Sequence, residues 1–308
     1  MTRERVLILG TGAMACWFAA HLAPRLDVTM AGTWRAGLEA LARGGVILED
    51  GGSPASHRVE VADYSAGLLL FRFALVLVKA FQTQAAGQVL RRWLAPDGVA
   101  VTLQNGLGNL ESLVEALGEE RAALGVTTVG ATLVQPGHVR AGGNGPTRVA
   151  RHPRTPSLVD LLRTAGLDAE LADDALGLAW GKLVVNCAVN PITALMRIPN
   201  GGLLLPEASP AWGVACDAAA EAARVARAVG IRLPYDEPRA ELERVLHRTA
   251  ANRSSMLQDV EGARPTEVEA ITGAVVARAE EHGVPVLVNR LLLALVRSLP
   301  HPSERGEA

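Results

Sequence analysis

Short apolar segments alternate with helical patterns through the first half of the chain. Residues 5–9 and 27–31 have the length and apolar content of strands, and residues 73–78 are continuously apolar. A continuously apolar strand is typical of a parallel sheet that is covered on both faces. Further strands are predicted at 99–103 and 122–126, and helical segments at 13–23 and 38–43. This alternation predicts an α/β domain with a doubly wound parallel sheet of the Rossmann type.

The pattern changes twice further along the chain. Residues 127–150 are rich in Thr, Val and Gly and carry turn signals, which predicts antiparallel strands or a hairpin that closes the first domain. From about Asp174 strand signals nearly vanish, and residues 174–189, 211–229 and 266–282 have helical length and composition. We therefore expect a first domain over residues 1–173 and a mostly helical second domain over residues 174–308.

A glycine-rich turn follows the first predicted strand and opens the first predicted helix. The run Gly10-Thr11-Gly12-Ala13-Met14-Ala15 matches the pattern G-x-G-x-x-A. The first glycine permits the tight turn, the second admits a pyrophosphate, and a small third residue lets helix and strand pack closely. Free amides at the helix N-terminus then face the anion. The sequence predicts a dinucleotide site, and the alternative is a turn with only a structural role.

The residues at the end of the second strand distinguish a site for NAD from a site for NADP. An acid at this position binds the ribose hydroxyls of NAD, whereas a basic residue accommodates the 2′-phosphate of NADP. Thr33 and Arg35 stand here, and no acid follows before Glu39. The sequence favours NADP, although Arg35 is also compatible with an ordinary surface arginine.

Two polar clusters follow the next strands. Lys79 and Gln82 come after the strand at 73–78, and Asn105-Gly106 comes after the strand at 99–103. Ligands of open α/β sheets lie beyond the carboxyl ends of the strands, so these side chains are candidates to meet the nicotinamide half of the cofactor. Lys79 as solvated surface and Asn105-Gly106 as a simple turn remain alternatives.

The helix predicted at 174–189 carries an unusual polar stripe. Lys182, Asn186 and Asn190 are spaced by four residues and share one face of an otherwise apolar segment. Buried polar groups need hydrogen-bond partners, and a polar ligand would supply them. A narrow solvent-exposed stripe is the alternative. Because Pro191 cannot donate to the carbonyl of Cys187, we expect the helix to bend or end there.

Two acids near residue 267 have different expected roles. Thr266 and Glu269 have the spacing of a capping box at the start of a helix. Glu267 has no such obligation and is free to face a ligand. Its alternative role is that of a favourable acid at a helix N-terminus.

Charge and cysteine content exclude several classes of protein. The 308 residues carry a net charge of -2, which gives no reason to expect nucleic acid or an anionic membrane as partner. No stretch reaches the roughly 20 apolar residues of a membrane span. Cys16, Cys187 and Cys216 are interpreted as inert thiols. The histidines are dispersed, so no metal site is expected, and a cytoplasmic protein fits.

The motifs together resemble a known family. The glycine-rich turn is followed in order by VKAFQT (78–83), QNG (104–106), WGKLVVNCAVNPITAL (180–195) and NRSSMLQDVEGARPTEVEAITG (252–273). This order resembles the ketopantoate reductase (2-dehydropantoate 2-reductase) family over nearly the whole chain. The resemblance implies a Rossmann domain followed by a helical domain. It also implies NADPH-dependent reduction of ketopantoate to pantoate, on the way to vitamin B5 and coenzyme A.

The resemblance also implies roles for individual residues. Lys182 is similar to the family's general acid, and Glu267 to the acid that holds the substrate hydroxyl. Lys79 and Asn105 resemble the residues that orient cofactor and substrate. The residues that resemble its substrate-binding set are Asn186, Asn190, Asn252 and Ser255. One departure concerns the cofactor, because many members have arginine where Thr33 stands here.

Two other functions stay open at this point. One is an NADP-dependent reductase of another branched 2-oxo acid or a hydroxyacid dehydrogenase. The other is a non-catalytic NADP-binding sensor, against which the presence of Lys182 and Glu267 speaks. The sequence leaves the oligomeric state undecided, with a homodimer as one option.

Overall fold

The computed structural model describes residues 3–205 and 210–300 and divides into two compact units. The first unit comprises the chain up to Gln104 together with Gly108–Ala175. The second comprises Asn105–Leu107 together with the chain from Leu176 onward. A short segment that follows a strand of the first unit therefore packs with the second.

The first unit contains twelve strands and five α-helices in the described residues. Its strands are β1 (Arg5–Leu9), β2 (Asp27–Gly32), β3 (Val46–Glu49), β4 (Ala55–His57), β5 (Glu60–Asp63), β6 (Phe71–Val76), β7 (Leu94–Thr102), β8 (Ala122–Thr127), β9 (Gly130–Gln135), β10 (His138–Gly143), β11 (Thr147–Ala150) and β12 (Ala169–Ala172). Its helices are α1 (Ala13–Leu22), α2 (Arg35–Gly44), α3 (Thr83–Trp93), α4 (Asn109–Leu117) and α5 (Thr155–Thr164).

The main sheet has eight strands in the order β12-β11-β8-β7-β6-β1-β2-β5. All neighbouring strands are parallel except β11 and β8. Val6 and Ile8 of β1 belong to one apolar cluster, whereas Leu7 and Leu9 belong to another. Both faces of the central strand are therefore covered, which explains its continuous apolar run. The predicted doubly wound parallel sheet is confirmed.

The predicted hairpin within residues 127–150 is also confirmed. β9 and β10 pair antiparallel, and β10 also pairs with β3 in a second sheet of order β4-β3-β10-β9. The short strands β3 and β4 did not stand out in the sequence because neither is long enough to show a hydrophobic period. The main sheet continues from β8 to β11 and β12, so the hairpin branches away from it.

The described residues of the second unit contain helices and no strand, as predicted for a mostly helical domain. Its helices are α6 (Ala175–Met196), a 3-10 helix (Asn200–Leu204), α7 (Pro210–Ala228), α8 (Pro238–Arg248), α9 (Ser255–Glu261), a π-helical segment (Glu269–Gly273), α10 (Ala274–Glu281) and α11 (Leu287–Arg297). One apolar core gathers residues from α6, α7, α8, α9, α10 and α11.

Of the two outcomes expected at Pro191, a bend or an end of the helix, the structure excludes the end. The helix continues through Pro191 to Met196. The proline removes one backbone hydrogen bond, but its neighbours Val189 and Ile192 are buried in the core. Packing on both sides therefore outweighs the loss. Helix α6 is also long and apolar enough to cross a membrane, yet 72% of its apolar window is buried inside the protein, as in a core helix.

The thiols have the environments expected of inert cysteines at two of three positions. Cys16 and Cys187 are buried, and burial raises the pKa of each thiol to about 12. Cys216 is only partly buried, and burial raises its pKa as well. All three are free, so the fold is held without disulfides.

A buried carboxylate from α7 caps the N-terminus of α11. Glu221 accepts hydrogen bonds from the backbone N–H groups of Val288 and Asn289, at 3.0 and 2.9 Å, and from the side-chain amide of Asn289. The first N–H groups of a helix have no partner within the helix, and a negative charge at this end is stabilising. Glu221 thus ties the last described helix to the middle of the unit.

Replacing Glu221 by alanine should destabilise the second unit by about 3 kcal/mol, because buried donors that lose their acceptor carry the full desolvation penalty. Urea unfolding followed by circular dichroism measures the change. Glu281→Ala is the matched control, since Glu281 forms an exposed pair with Arg278 on a helix surface and should cost well under 1 kcal/mol. Equal effects of the two substitutions would contradict the capping role.

Candidate active site

The glycine-rich turn has the geometry of a phosphate cradle. The Gly10 N–H donates to the carbonyl of Ala31 at 2.7 Å, and the φ angle of Gly10 is +128°. A Cβ at Gly10 would lie 2.8 Å from the carbonyl oxygen of Leu77. Gly12 precedes α1 without any side-chain cap, and a Cβ placed on it would meet no atom within 4 Å. The first turn of α1 therefore has uncapped amides and open space before it, which fits a bound pyrophosphate.

The other residues of this turn divide between packing and the open side. Thr11 is buried, whereas Ala13 and Met14, the first two residues of α1, are partly buried. The Thr11 side chain lies against Gly32 at the end of β2, 3.4 Å from the position that a Cβ would take. The turn and the end of β2 are thus packed together.

Thr33 and Arg35 are both exposed at the carboxyl end of β2. Arg35 is the first residue of α2, and its Nε donates to Oε1 of Glu39 at 2.7 Å. Arg35 is therefore paired with a carboxylate one helical turn later.

Lys79 and Gln82 lie just beyond the carboxyl end of β6. The Lys79 backbone N–H donates to Oε1 of Gln82 at 3.2 Å, and the Lys79 side chain is partly buried. Gln104, which follows β7, donates through Nε2 to the carbonyl of Val78 at 2.9 Å and to Oγ1 of Thr83 at 2.7 Å. These bonds hold the ends of two neighbouring strands together at the edge where the sheet would bind a ligand.

Asn105 departs from this strand end and packs with the helical unit. The Leu107 N–H donates to the carbonyl of Ala270 at 2.9 Å. Gly106 has a φ angle of +86°, and a Cβ on it would collide with the same carbonyl oxygen. Only glycine permits this close backbone approach. The segment therefore joins Asn105 to the π-helical segment that contains Ala270.

The polar stripe of α6 is partly or fully withdrawn from solvent. Lys182 and Asn186 are partly buried, and Asn190 is 5% exposed. Burial lowers the pKa of Lys182 to about 8, and the carboxylate of Glu267 opposes this shift. A polar side chain buried to this extent on an otherwise apolar helix needs hydrogen-bond partners, which a polar ligand is able to supply.

Glu267 is 8% exposed and lies immediately before the helix that begins at Val268. Oγ1 of Thr266 accepts from the Val268 N–H at 3.5 Å, but the predicted capping box is wrong because Glu269 does not close it. Glu269 instead pairs with Arg297 through two hydrogen bonds of 2.7 and 2.6 Å. A bidentate hydrogen bond to a guanidinium is stronger than a bond to a neutral N–H, so Glu269 pairs with Arg297 instead of with the backbone. The two acids therefore still differ, since Glu269 forms a structural ion pair whereas Glu267 is buried.

The loop before α9 separates two adjacent serines. Ser254 caps α9 by accepting from the Leu257 N–H at 3.1 Å, and its hydroxyl contacts Oγ1 of Thr193 at 2.7 Å. Ser255 is the first residue of α9 and is partly buried. The carbonyl of Asn252 accepts from the N–H of Asn200 at 2.9 Å, and the Asn252 side chain is partly buried.

Two features beside Lys182 were not found from the sequence. The hydroxyl of Tyr235 donates to the carbonyl of Gly181 at 2.8 Å, and the ring of Pro234 lies 2.8 Å from where a Cβ of Gly181 would be. Gly181 thus allows the 234–235 loop to pack directly on α6 next to Lys182. A glycine in the middle of an apolar helix was the signal that a close approach was present.

The low lysine content of the sequence is another feature that the predictions did not use. Of the 30 Lys and Arg side chains, only two are lysines, Lys79 and Lys182. Arginine serves wherever a basic surface side chain is needed, but it cannot release a proton at accessible pH. Lys79 and Lys182 are the only two lysine side chains, and hence the only side-chain amines, in the sequence.

The candidate residues fall into two sets. The first unit carries Gly10, Thr11, Gly12, Ala13, Met14, Thr33, Arg35, Lys79 and Gln82. The second unit carries Asn105, Lys182, Asn186, Asn190, Asn252, Ser255 and Glu267. The first set suits a dinucleotide, and the second offers one amine, one carboxylate, amides and a hydroxyl to a small polar substrate.

Two family models together match most of the chain. Residues 6–154 match the family model described as "Ketopantoate reductase PanE/ApbA", and residues 174–299 match that described as "Ketopantoate reductase PanE/ApbA C terminal". The chain belongs to the ketopantoate reductase family. It is therefore an oxidoreductase, as its named relatives are.

Relatives and solved structures cover most of the chain. It is 35% identical to a 2-dehydropantoate 2-reductase of Halobacterium salinarum over 95% of its own length and 98% of the relative's. It is 40% identical to one of Archaeoglobus fulgidus, over 73% and 75%. A crystal structure of a PanE/ApbA family ketopantoate reductase from Ralstonia eutropha shares the fold with a TM-score of 0.88, at 29% identity over 96% of this chain and 98% of the other.

Alanine at Gly106 should destabilise the second unit by roughly 2–4 kcal/mol, since a positive φ angle and a steric collision both add cost. Gly108→Ala is the matched control. Gly108 has a φ angle of +87°, but a Cβ there would meet no atom within 4 Å. Thermal unfolding of both variants separates collision from backbone strain. Equal losses would mean that the contact with Ala270 contributes nothing.

The amine of Lys182 should titrate near pH 8, well below the ordinary lysine pKa of about 10.4. The group is therefore charged below about pH 8 and neutral above it. Lysine labelled with ¹³C at Cε gives only two signals, and Lys79→Arg identifies that of Lys182. Glu267→Gln should lower this pKa further, whereas Glu269→Gln should leave it unchanged. An ordinary pKa in the wild type would contradict the burial of the amine.

Proposed function

We propose that this chain reduces 2-dehydropantoate to pantoate with NADPH, the step that leads toward vitamin B5 and coenzyme A. The observation that carries the proposal is the partly buried Lys182, whose amine has a pKa of about 8 and interacts with the buried Glu267. Several relatives of the chain bear the name 2-dehydropantoate 2-reductase. A lysine with such a pKa is suited to protonate a substrate oxygen near neutral pH.

The cofactor residues lie at the carboxyl edge of the main sheet. The uncapped amides at the start of α1 would hold the pyrophosphate, and Thr33 and Arg35 would hold the 2′-phosphate. Lys79 and Gln82 would orient the nicotinamide half. When bound, the reduced nicotinamide supplies the hydride that reduces the keto carbon.

Lys182 acts on the oxygen of the reacting carbonyl. Negative charge develops on this oxygen as its carbon is reduced, and an ammonium group held next to it lowers the energy of the transition state. The same ammonium then donates the proton that completes the hydroxyl group. Partial burial makes this interaction stronger than it would be in water.

The remaining side chains of the second unit would orient the substrate. The amides of Asn105, Asn186 and Asn190 can donate to the substrate carboxylate. Glu267 would accept from the hydroxyl group of the substrate, and Asn252 and Ser255 would complete the polar surface. Side chains of this kind reject a substrate that lacks the matching hydroxyl, because buried polar groups are then left unpaired.

The test of this proposal is NADPH oxidation with a panel of 2-oxo acids. We expect 2-dehydropantoate to give the highest kcat/KM, and NADPH to bind several-fold tighter than NADH. Arg35→Ala should weaken NADPH binding and leave NADH binding nearly unchanged. Preference for another branched 2-oxo acid would reassign the substrate, and NADPH binding without any turnover would identify a sensor.

Lys182→Ala should lower kcat by about 10²–10³, the usual cost of removing one well-placed donor. Lys182→Arg should also lose activity, because the guanidinium keeps the charge but does not release a proton. In the wild type, kcat should fall as the pH rises through about 8, where Lys182 loses its proton. NADPH affinity and melting temperature are measured on the same preparations. Full activity of Lys182→Ala would exclude the acid role.

Glu267→Gln should raise KM for 2-dehydropantoate or lower kcat, with a melting temperature close to that of the wild type. The amide cannot accept from the substrate hydroxyl as strongly as a carboxylate does. Glu269→Gln is the control, since Glu269 forms an exposed pair with Arg297. If Glu269→Gln had the larger kinetic effect, the roles assigned to the two acids would be reversed.

A further inference from the structure

One tryptophan differs from the others in its surroundings. The chain has five tryptophans, and Trp34 is 42% exposed. The other four are buried, namely Trp17, Trp93, Trp180 and Trp212. Trp34 is therefore the one tryptophan whose indole is substantially open to solvent and accessible to a ligand.

Trp34 lies at the edge of the sheet where the glycine-rich turn is found. β2 ends at Gly32, and Trp34 directly precedes α2. β1 and β2 are parallel neighbours, and the Gly10 N–H donates to Ala31 of β2. The indole therefore follows the strand that packs directly beside the turn.

Contacts at Gly37 fix the position of the indole more closely. A Cβ at Gly37 would lie 2.5 Å from Cε3 and 3.0 Å from Cζ3 of Trp34. It would also lie 3.0 Å from Oγ1 of Thr11. The six-membered ring of Trp34 and the side chain of Thr11 thus meet at the same point of α2, so the indole borders the glycine-rich turn.

Gly37 lowers the stability of helix α2. It is the third residue of α2, and glycine inside a helix is less stable than alanine by about 0.5–1 kcal/mol. The ring of Trp34 occupies the space that an alanine methyl group would need. The helix therefore accepts a weaker residue so that the indole can lie against it.

We propose that Trp34 is the platform on which the adenine ring of the dinucleotide stacks. The proposal rests on the cofactor binding proposed above. A pyrophosphate at the glycine-rich turn directs the adenosine half of the cofactor toward the end of β2, where Thr33 and Arg35 lie on either side of Trp34. An indole offers a π surface to any purine, and such stacking is typically worth about tenfold or more in affinity.

The proposal is tested with adenosine 2′,5′-bisphosphate, which contains the adenine and the 2′-phosphate but no nicotinamide. Calorimetry gives its Kd, and indole fluorescence reports contact with the ring, because this ligand does not absorb at the emission wavelength. In the wild type we expect binding with quenching of the exposed tryptophan. Trp34→Ala should raise Kd about tenfold and abolish the quenching.

Three further variants separate stacking from packing. Trp34→Phe should recover part of the affinity, because it keeps an aromatic face. Trp34→Leu should not, although it keeps an apolar contact with Gly37. Gly37→Ala leaves Trp34 in the chain but displaces its ring, so it should also weaken binding. Trp212→Phe, in the other unit, is the control and should keep the wild-type Kd.

Kinetics provide a readout that a structural role would not move. Loss of the platform should raise KM for NADPH about tenfold and leave kcat unchanged, since stacking is the same in ground and transition states. A Kd within twofold of the wild type in Trp34→Ala, with quenching retained, would overturn the proposal. So would equal affinities of Trp34→Phe and Trp34→Leu. Failure of the cofactor assignment itself would show differently, as absence of NADPH binding in the wild type.

Discussion

The structure of the second unit depends on how the amine of Lys182, on the otherwise apolar helix α6, is kept charged away from water. Removing an ammonium group from water favours its neutral form, and burial lowers the pKa of Lys182 to about 8. Without a compensating charge the group would lose its proton more readily still. The carboxylate of Glu267 opposes this loss, so Lys182 stays protonated at neutral pH while remaining a ready proton donor.

The second unit is organised so that the surroundings of Lys182 are held by backbone contacts. Gly181 lets the loop at Pro234 and Tyr235 pack directly on α6, and Gly106 lets its segment approach Ala270 of the π-helical segment. Short π-helical insertions occur frequently at functional sites, where they redirect side chains. Backbone contacts of this kind leave little freedom of movement, as the orientation of a substrate requires.

The first unit uses its close contacts for a different purpose. Gly10 makes the tight turn that leaves the start of α1 uncapped, and Gly37 gives room for the ring of Trp34. Each glycine weakens the local backbone preference for its element. Both losses occur at the carboxyl edge of the sheet, where an anionic and aromatic ligand fits. Arg35 and Glu39 form an exposed charge pair at the same edge.

Local patterns in the sequence were sufficient to predict the fold class, the glycine-rich turn and the polar face of α6. These features depend on residues within one or two turns of each other, so periodicity and spacing report them directly. The same patterns marked Lys182 and Glu267 as unusual, and the small number of lysines would have strengthened that signal.

Contacts between distant segments decided the rest. Glu269 pairs with Arg297 instead of capping its own helix, α6 continues through Pro191 because its neighbours are buried, and Asn105 joins the helical unit because Leu107 bonds Ala270. In each case a partner remote in sequence offered a stronger interaction than the local one. A sequence pattern describes the local preference of a segment, whereas the tertiary structure determines which partner each side chain finds.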